Sequence, residues 1–312
     1  MSGAGERLDI YLVRLGYAPS RRAAQSLIGQ GLVRVNGHRG PKGVLVASGD
    51  RVEVEAAPES QPLEVGIVPN PEIPLEVLFQ DYAALVVNKP APMPCHPLRR
   101  GERDTVMNAV VARFPEAGLA GSQTREGGLV HRLDNGTSGA LIVARTSGAF
   151  GTLRDAIRAG SIARRYEALV AGEIRSPMRL GDPIAHHPKN PRKMIARKVA
   201  AIGERKLRNT HQARPAVTIV EPISRLGGFT LVSVVPKTGN RHQIRVHLAA
   251  AGHPLAGDAL YGGPALATLA MDRFWLHLRE VGFDSPASGW VRVQAPHPAD
   301  LIGSLSELRS QG

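Results

Sequence analysis

Residues 128–144 read G-L-V-H-R-L-D-N-G-T-S-G-A-L-I-V-A. A short apolar stretch leads to Asp134, the polar run N-G-T-S-G follows, and an apolar segment of strand length begins at Ala140. A carboxylate on a tight loop between buried elements is well placed to meet a substrate. In isolation D-N-G has a second reading, in which Asp134 only shapes a turn by capping backbone N–H groups. On either side of this segment, apolar runs predict strands at 84–87, 140–144, 168–170, 217–220 and 230–235, with helices near 105–114 and 147–159. Strands and helices mix without regular βαβ alternation, so the expected class is α+β: a mixed, mostly antiparallel sheet with flanking helices.

The first fifty residues read as a separate unit. Leu8, Tyr11, Leu12 and Leu15 mark one amphipathic helix; Ser20 is the candidate N-cap of a second, which runs through Ala24, Leu27 and Ile28 to Gly29 or Gly31. Short strands follow at 33–35 and 51–54, with turn residues Asn36-Gly37 and Gly49-Asp50 beside them. This helix-helix-hairpin module carries S-R-R-A-A-Q-S-L-I-G-Q-G-L-V-R-V-N-G, with Arg21 and Arg22 in the first turn of its second helix. The pattern resembles the small RNA-binding module of a small-subunit ribosomal protein and of tyrosyl-tRNA synthetases. The proline-rich stretch beyond Ala56 reads as a linker. The expected division is a module over 1–58, a linker over 59–74 and a catalytic domain over 75–312.

Composition narrows the partner. The 312 residues are 43% hydrophobic, enough for a sizeable core. Cys95 is the single cysteine, so no disulfide forms within the chain and a reducing compartment is expected. There is no apolar run of membrane-spanning length and no secretory signal at the start, which together predict a cytoplasmic protein with no membrane partner. Thirty-nine Lys and Arg against 27 Asp and Glu give a formal charge of +12. Such a charge suits a polyanion, nucleic acid first, or equally a surface tuned for solubility. Motifs decide between them.

H-R-L-D-N-G-T-S-G followed by a buried strand resembles the signature of the RluA-type RNA pseudouridine synthases. The likeness continues through N-K-P at 88–90, H-P at 96–97, A-R-R-Y-E-A-L-V around Tyr166, and K-T-G-N-R-H-Q-I-R-V-H-L-A-A-A-G-H-P-L-A-G-D-A-L-Y-G at 237–262. It spans most of the chain after residue 75. The resemblance implies isomerisation of uridine to pseudouridine without metal or organic cofactor. It assigns Asp134 as the catalytic carboxylate and Arg245 as its ionic partner. Tyr166 would stack on the target base, and Arg132 would enter the RNA stack that the flipped uridine leaves. An ionised carboxylate away from water needs a positive neighbour, and the planar fork of arginine suits a bidentate contact. The alternative for Arg245 is a surface position on a strand between apolar Ile244 and Val246.

The chain departs from the family pattern at Pro92, where glycine is commoner, at Asn240 and Arg241, which replace arginine and threonine, and at Arg164, which replaces lysine. No catalytic group is lost, and substrate choice is where the changes would act. Residues 186–214 carry nine Lys or Arg against one acid, Glu204. Lys193, Arg197 and Lys198 in this stretch, with Arg21 and Arg22, are the candidate phosphate contacts; a solvated loop is the other reading. The 11 histidines show no zinc-binding spacing, so no metal is expected. Two functional classes stand: an isomerase acting on large-subunit ribosomal RNA or on transfer RNA, and a catalytically idle RNA-binding ribosome-assembly factor.

Overall fold

A computed structural model describes residues 5–18, 21–41, 43–47, 49–55, 66–197, 213–270 and 273–310. The Ser20 cap, Lys198 and the side chain of Arg22 lie outside the described residues. The chain separates into two compact units, residues 1–64 and 65–312.

The first unit contains β1 (Glu6–Arg7), α1 (Leu8–Arg14), α2 (Arg21–Gly29), β2 (Val33–Val35), β3 (His38–Arg39), β4 (Leu45–Val46) and β5 (Val52–Val54). Strand β2 pairs antiparallel with both β3 and β5, placing Val33 opposite Val54. Between β2 and β3, Asn36 and Gly37 take positive φ of 53° and 80°, the backbone that a two-residue hairpin turn demands. Leu8, Leu12, Ala24, Ile28, Val33 and Val46 form the core. Asp9 is buried, and hydrogen bonds from Arg7, Gln25 and Arg21 hold its carboxyl well below the usual range. Arg21 is thus tied on one side, while more than half of its side chain stays exposed.

The second unit runs β6 (Val77–Gln80), β7 (Ala84–Lys89), α3 (Val106–Arg113), β8 (Ser138–Ala144), α4 (Ser147–Ala159), β9 (Ala163–Ala171), β10 (Met178–Leu180), β11 (Ile184–His186), β12 (Met194–Ala196), β13 (Thr218–Leu226), β14 (Phe229–Pro236), α5 (Gln243–Ala250), β15 (Leu276–Ser285), β16 (Gly289–Gln294) and α6 (Ala299–Ser310). Its main sheet has the order β10-β13-β14-β9-β15-β8-β7-β6, with β16 also beside β15. Every pairing is antiparallel except β15 with β8. The fold is therefore mixed α/β on a mostly antiparallel sheet.

Strand β8 is buried at every residue, as an unbroken apolar run in a central strand requires. At its start Gly139 has φ 117°, and a Cβ there would stand 2.2 Å from the Leu278 carbonyl oxygen, so only glycine lets β8 approach β15. Helix α4 begins at Thr146, whose hydroxyl accepts from the Ala149 amide, and stops at Gly160 in the left-handed conformation. Leu301, Leu305 and Leu308 bring α6 onto the sheet face carrying Leu169, Leu231 and Trp275. Each fully buried side chain of this kind contributes about 1.5–3 kcal/mol.

One expectation is corrected and one alternative reading is set aside. Within the expected linker 59–74, residues 66–74 belong to the second unit. Ile67 packs on its core, the Val68 carbonyl accepts from Asn108 at 2.6 Å, and the Asn70 amide donates to the Asn108 carbonyl at 3.0 Å. The prolines prevent regular structure there but not packing. Arg245 lies neither on a strand nor at the surface: it is 7% exposed on α5. A chain beginning at residue 66 is expected to unfold within about 3 °C of the full-length second transition, the shift that about 1 kcal/mol produces in a unit of this size. A chain beginning at residue 75 should melt lower, because it lacks the contacts with Asn108. Calorimetry of the three chains checks both outcomes.

Candidate active site

The loop from Leu133 to Ser138 enters β8 under unusually complete restraint. The Thr137 amide closes a turn onto the Asp134 carbonyl at 3.0 Å, and the Met93 amide donates to the Asn135 carbonyl at 3.0 Å. Lys89, at the end of β7, is fully buried and spends its ammonium protons on three carbonyls: Thr137 at 2.7 Å, Pro90 at 2.8 Å and Asn135 at 3.1 Å. Burial pulls its pKa down to about 8, so it remains largely cationic at neutral pH. Arg273 donates to the Gly136 carbonyl at 2.5 Å and to the Ser138 hydroxyl at 3.0 Å, and is itself paired with Asp300 at 2.8 Å. Cys95 Sγ lies 3.3 Å from both the amide and the carbonyl of Leu133. Two buried cations thus grip three successive carbonyls, Asn135 to Thr137, just past Asp134.

The Asp134 side chain is partly exposed, and its Oδ2 accepts from Arg245 Nη1 at 3.0 Å. Oδ1 receives no hydrogen bond from a described residue. The fork of Arg245 goes elsewhere: Nε and Nη2 donate to the two oxygens of Asp258 at 2.7 and 2.9 Å. Asp258 is 1% exposed. The guanidinium carbon also lies 4.2 Å from the centroid of Phe274 and 5.1 Å from that of Tyr261. Burial disfavours the charge on Arg245, yet Asp258 and Asp134 together hold its pKa above the ordinary value. The bidentate contact expected at Asp134 is therefore made by Asp258, and Asp134 takes a single end-on bond that leaves one oxygen free.

Tyr166 on β9 is buried, and burial, with the Asp134 charge adding to it, pushes its hydroxyl up to about 12. It is a neutral phenol at working pH, a donor and a flat apolar face. Arg132 is mostly exposed, with Nη1 3.3 Å from Glu126 Oε1 and 3.5 Å from His96 Nε2. The neighbouring Arg164 has its Nε shut from solvent with no hydrogen-bond partner among the described residues.

Residues 184–196 form the β11–β12 hairpin, so the first part of the basic stretch is structured. Lys193, in its turn, and Arg197, just beyond it, are partly exposed. The hairpin is bound to the site: the Met194 amide donates to the Tyr261 hydroxyl at 2.9 Å, and that hydroxyl lies 2.9 Å from His242 Nδ1. The departures at 240 and 241 join here. Asn240 bonds the Pro215 carbonyl at 2.9 Å, and Arg241 reaches the Pro191 carbonyl at 3.4 Å. Lys89, Asp258 and Arg273 were not singled out in the sequence; the first two stand inside quoted motifs, and Arg273 carries no local signal. Among the described residues no three His, Cys, Asp or Glu side chains gather as a metal site, and no helix is long and apolar enough to cross a membrane.

The geometry offers one carboxylate with a docked and a free oxygen, a neutral phenol and an exposed guanidinium. Comparison with known proteins gives the family. The profile of the family described as RNA pseudouridylate synthase matches residues 83–250, and that of the S4 domain matches residues 6–52. A Mycobacterium bovis protein named as an uncharacterized RNA pseudouridine synthase is 34% identical, covering 99% of this chain and 96% of its own. The ribosomal large subunit pseudouridine synthase D of Neisseria meningitidis serogroup A is 33% identical, covering 98% of this chain and 79% of its own. The structure of human RNA pseudouridylate synthase domain containing 1 superposes with a TM-score of 0.56 at 27% identity, covering 72% of this chain and 84% of that one. The chain belongs to the RNA pseudouridylate synthase family, isomerases that convert uridine to pseudouridine in RNA, and carries an S4 domain at its N-terminal end.

Proposed function

We propose that the enzyme modifies large-subunit ribosomal RNA, with Asp134 as its catalytic carboxylate. The observation that carries this reading is the docking of Asp134: Oδ2 is held by buried Arg245 and Oδ1 is left free to meet a substrate. The target uridine leaves the stack, Arg132 fills the gap, and the uracil lies against Tyr166. The bond between C1′ and N1 breaks, the uracil turns, C1′ joins carbon 5, and the proton of carbon 5 passes to solvent as N1 gains one. Atoms and charge balance without an added reagent. The neutral phenol of Tyr166 acts here as a face and a donor rather than as a phenolate base.

Ribosomal RNA is favoured by the Neisseria relatives, which are named ribosomal large subunit pseudouridine synthases, and by the S4 domain. The test is tritium release from RNA labelled at uracil carbon 5, with large-subunit ribosomal RNA and transfer RNA as separate substrates. Release from ribosomal RNA supports the proposal, and release from transfer RNA alone overturns the substrate. Binding without release makes the protein an idle RNA-binding factor.

Binding should weaken steeply with salt. If Arg21, Arg22, Lys193, Arg197 and Lys198 each meet a phosphate, the slope of log affinity against log salt is about −4, at roughly −0.7 to −0.9 per contact. Replacing Arg22 and Lys193 with glutamine should flatten it by about 1.5. A filter-binding series between 50 and about 300 mM salt measures the slope, and a salt-independent affinity removes these residues from the interface.

A further inference from the structure

His242 caps the start of α5 in the left-handed conformation, with φ 54° and ψ 21°. Among the described residues, only one other non-glycine has positive φ: Asn36, whose hairpin turn requires it. His242 is the third residue of a tight turn closed by the Gln243 amide on the Asn240 carbonyl at 3.2 Å, a place where positive φ is at home. Glycine or asparagine meets such a turn position more readily, so a histidine here is kept for what its ring does. What the conformation does is aim the ring: Nδ1 lies 2.9 Å from the Tyr261 hydroxyl, and Nε2 faces Oδ2 of Asp134 at 3.9 Å.

The hydrogen-bond chain favours one tautomer. The Tyr261 oxygen accepts the Met194 N–H at 2.9 Å, and when its own proton goes to Nδ1 of His242 the ring proton sits on Nε2, facing Asp134. The reverse arrangement would leave the Tyr261 proton without an acceptor among the described residues. Burial, with the charges of Arg245 and Arg241, outweighs the pull of Asp134 and Asp258 and holds the imidazole down to about 4. The ring is neutral at working pH. The other ionisable groups acting on Asp134 from adjoining elements are Lys89, Tyr166 and Cys95.

We propose that His242 is a positioning residue whose Nε2–H, fixed by the Tyr261 hydroxyl, closes onto Oδ2 of Asp134 when RNA enters and turns Oδ1 toward the reacting ribose or uracil. The inference rests on the reading of Asp134 as the catalytic carboxylate. A neutral donor orients the carboxylate without adding a second cation, which would stabilise its resting charge at the expense of its reactivity. Hydrogen bonds of this kind are often long before substrate binds and tighten in the complex.

The test measures tritium release from a carbon-5-labelled transcript of large-subunit ribosomal RNA. His242→Gly keeps the left-handed backbone and removes the ring; His242→Asn also accepts that backbone but is too short to carry an N–H to the Nε2 position. Both should lower kcat by about 100-fold with KM within about twofold, as expected when a reacting group is misplaced by about an ångström. His242→Gln, whose amide reaches the place of Nε2, should recover a good part of the loss. Tyr261→Phe should lower kcat less, and adding it to His242→Gly should cost nothing more. Independently of turnover, histidine nitrogen spectra should show the resonance missing from His242→Gln as protonated on Nε2 from pH 8 down to pH 5. Unimpaired kcat in His242→Gly and His242→Asn, a proton on Nδ1, or titration near 6.5 overturns the proposal. Wild type that releases no tritium, or full release by Asp134→Asn, overturns instead the reading on which it rests.

Discussion

The Asp134→Asn variant is expected to fold, to bind RNA and to release essentially no tritium from RNA labelled at uracil carbon 5. The substitution keeps size and hydrogen-bonding capacity and removes only the charge on which the proposed chemistry depends. Loss of a group of this kind lowers turnover by more than about 1,000-fold. The fold should survive because Arg245 keeps both of its bonds to Asp258, so no buried charge is abandoned. Asp134 itself is only partly buried, and its contribution to stability through one end-on bond is about 1 kcal/mol or less. RNA affinity should hold, since the proposed phosphate contacts lie on other residues. If Asp134 only shapes a turn, asparagine would serve as well and turnover would stay near that of wild type. Tritium release by a variant whose fold is checked by circular dichroism separates the two outcomes, and substantial turnover would defeat the assignment of Asp134.

How much of this was legible in the sequence varied with how local the signal was. Helix α4 was bounded as expected, at Ser147–Ala159, because both its stops are written in the chain, as Thr146 and Gly160. The run A-L-I-V-A made β8 legible for the same reason: a buried central strand needs nothing but apolar residues. Helix α5 defeated periodicity. In Q-I-R-V-H the polar and apolar residues alternate as in a strand, yet all of 243–248 are buried in a helix. The alternation is possible because each polar residue finds a partner inside. Gln243 donates to the Val217 carbonyl, Arg245 bridges Asp258 and Asp134, and His247 lies between the Thr218 hydroxyl and the Asp182 carbonyl. A helix buried all round carries no amphipathic stripe to read. Asp134 stood out as a candidate because a long motif surrounds it. Asp258 was not, because its role exists only once α5 has brought Arg245 to it across thirteen positions.

That pairing makes Arg245 the residue whose loss should damage both stability and turnover, and the two effects can be separated. Arg245→Met removes the only side-chain partner of Asp258 among the described residues, leaving a carboxylate at 1% exposure without compensation. Breaking a buried pair from one side costs about 3–5 kcal/mol, more than an apolar replacement of similar length returns. Arg245→Lys should fare only somewhat better, since an ammonium cannot span both oxygens of Asp258 and still reach Asp134 at 3.0 Å. Adding Asp258→Asn to Arg245→Met removes the stranded charge and should restore most of the lost stability, because replacing both partners of a buried pair is often nearly neutral. It should restore no turnover, for Asp134 would still lack its cation. Trp275 is fully buried in this unit and the S4 unit holds no tryptophan, so fluorescence during denaturant unfolding follows the catalytic unit alone. If Arg245→Met unfolds at the same midpoint as wild type, Asp258 is not held by Arg245 as described. If the double variant regains activity along with stability, the arginine serves the fold and not the carboxylate.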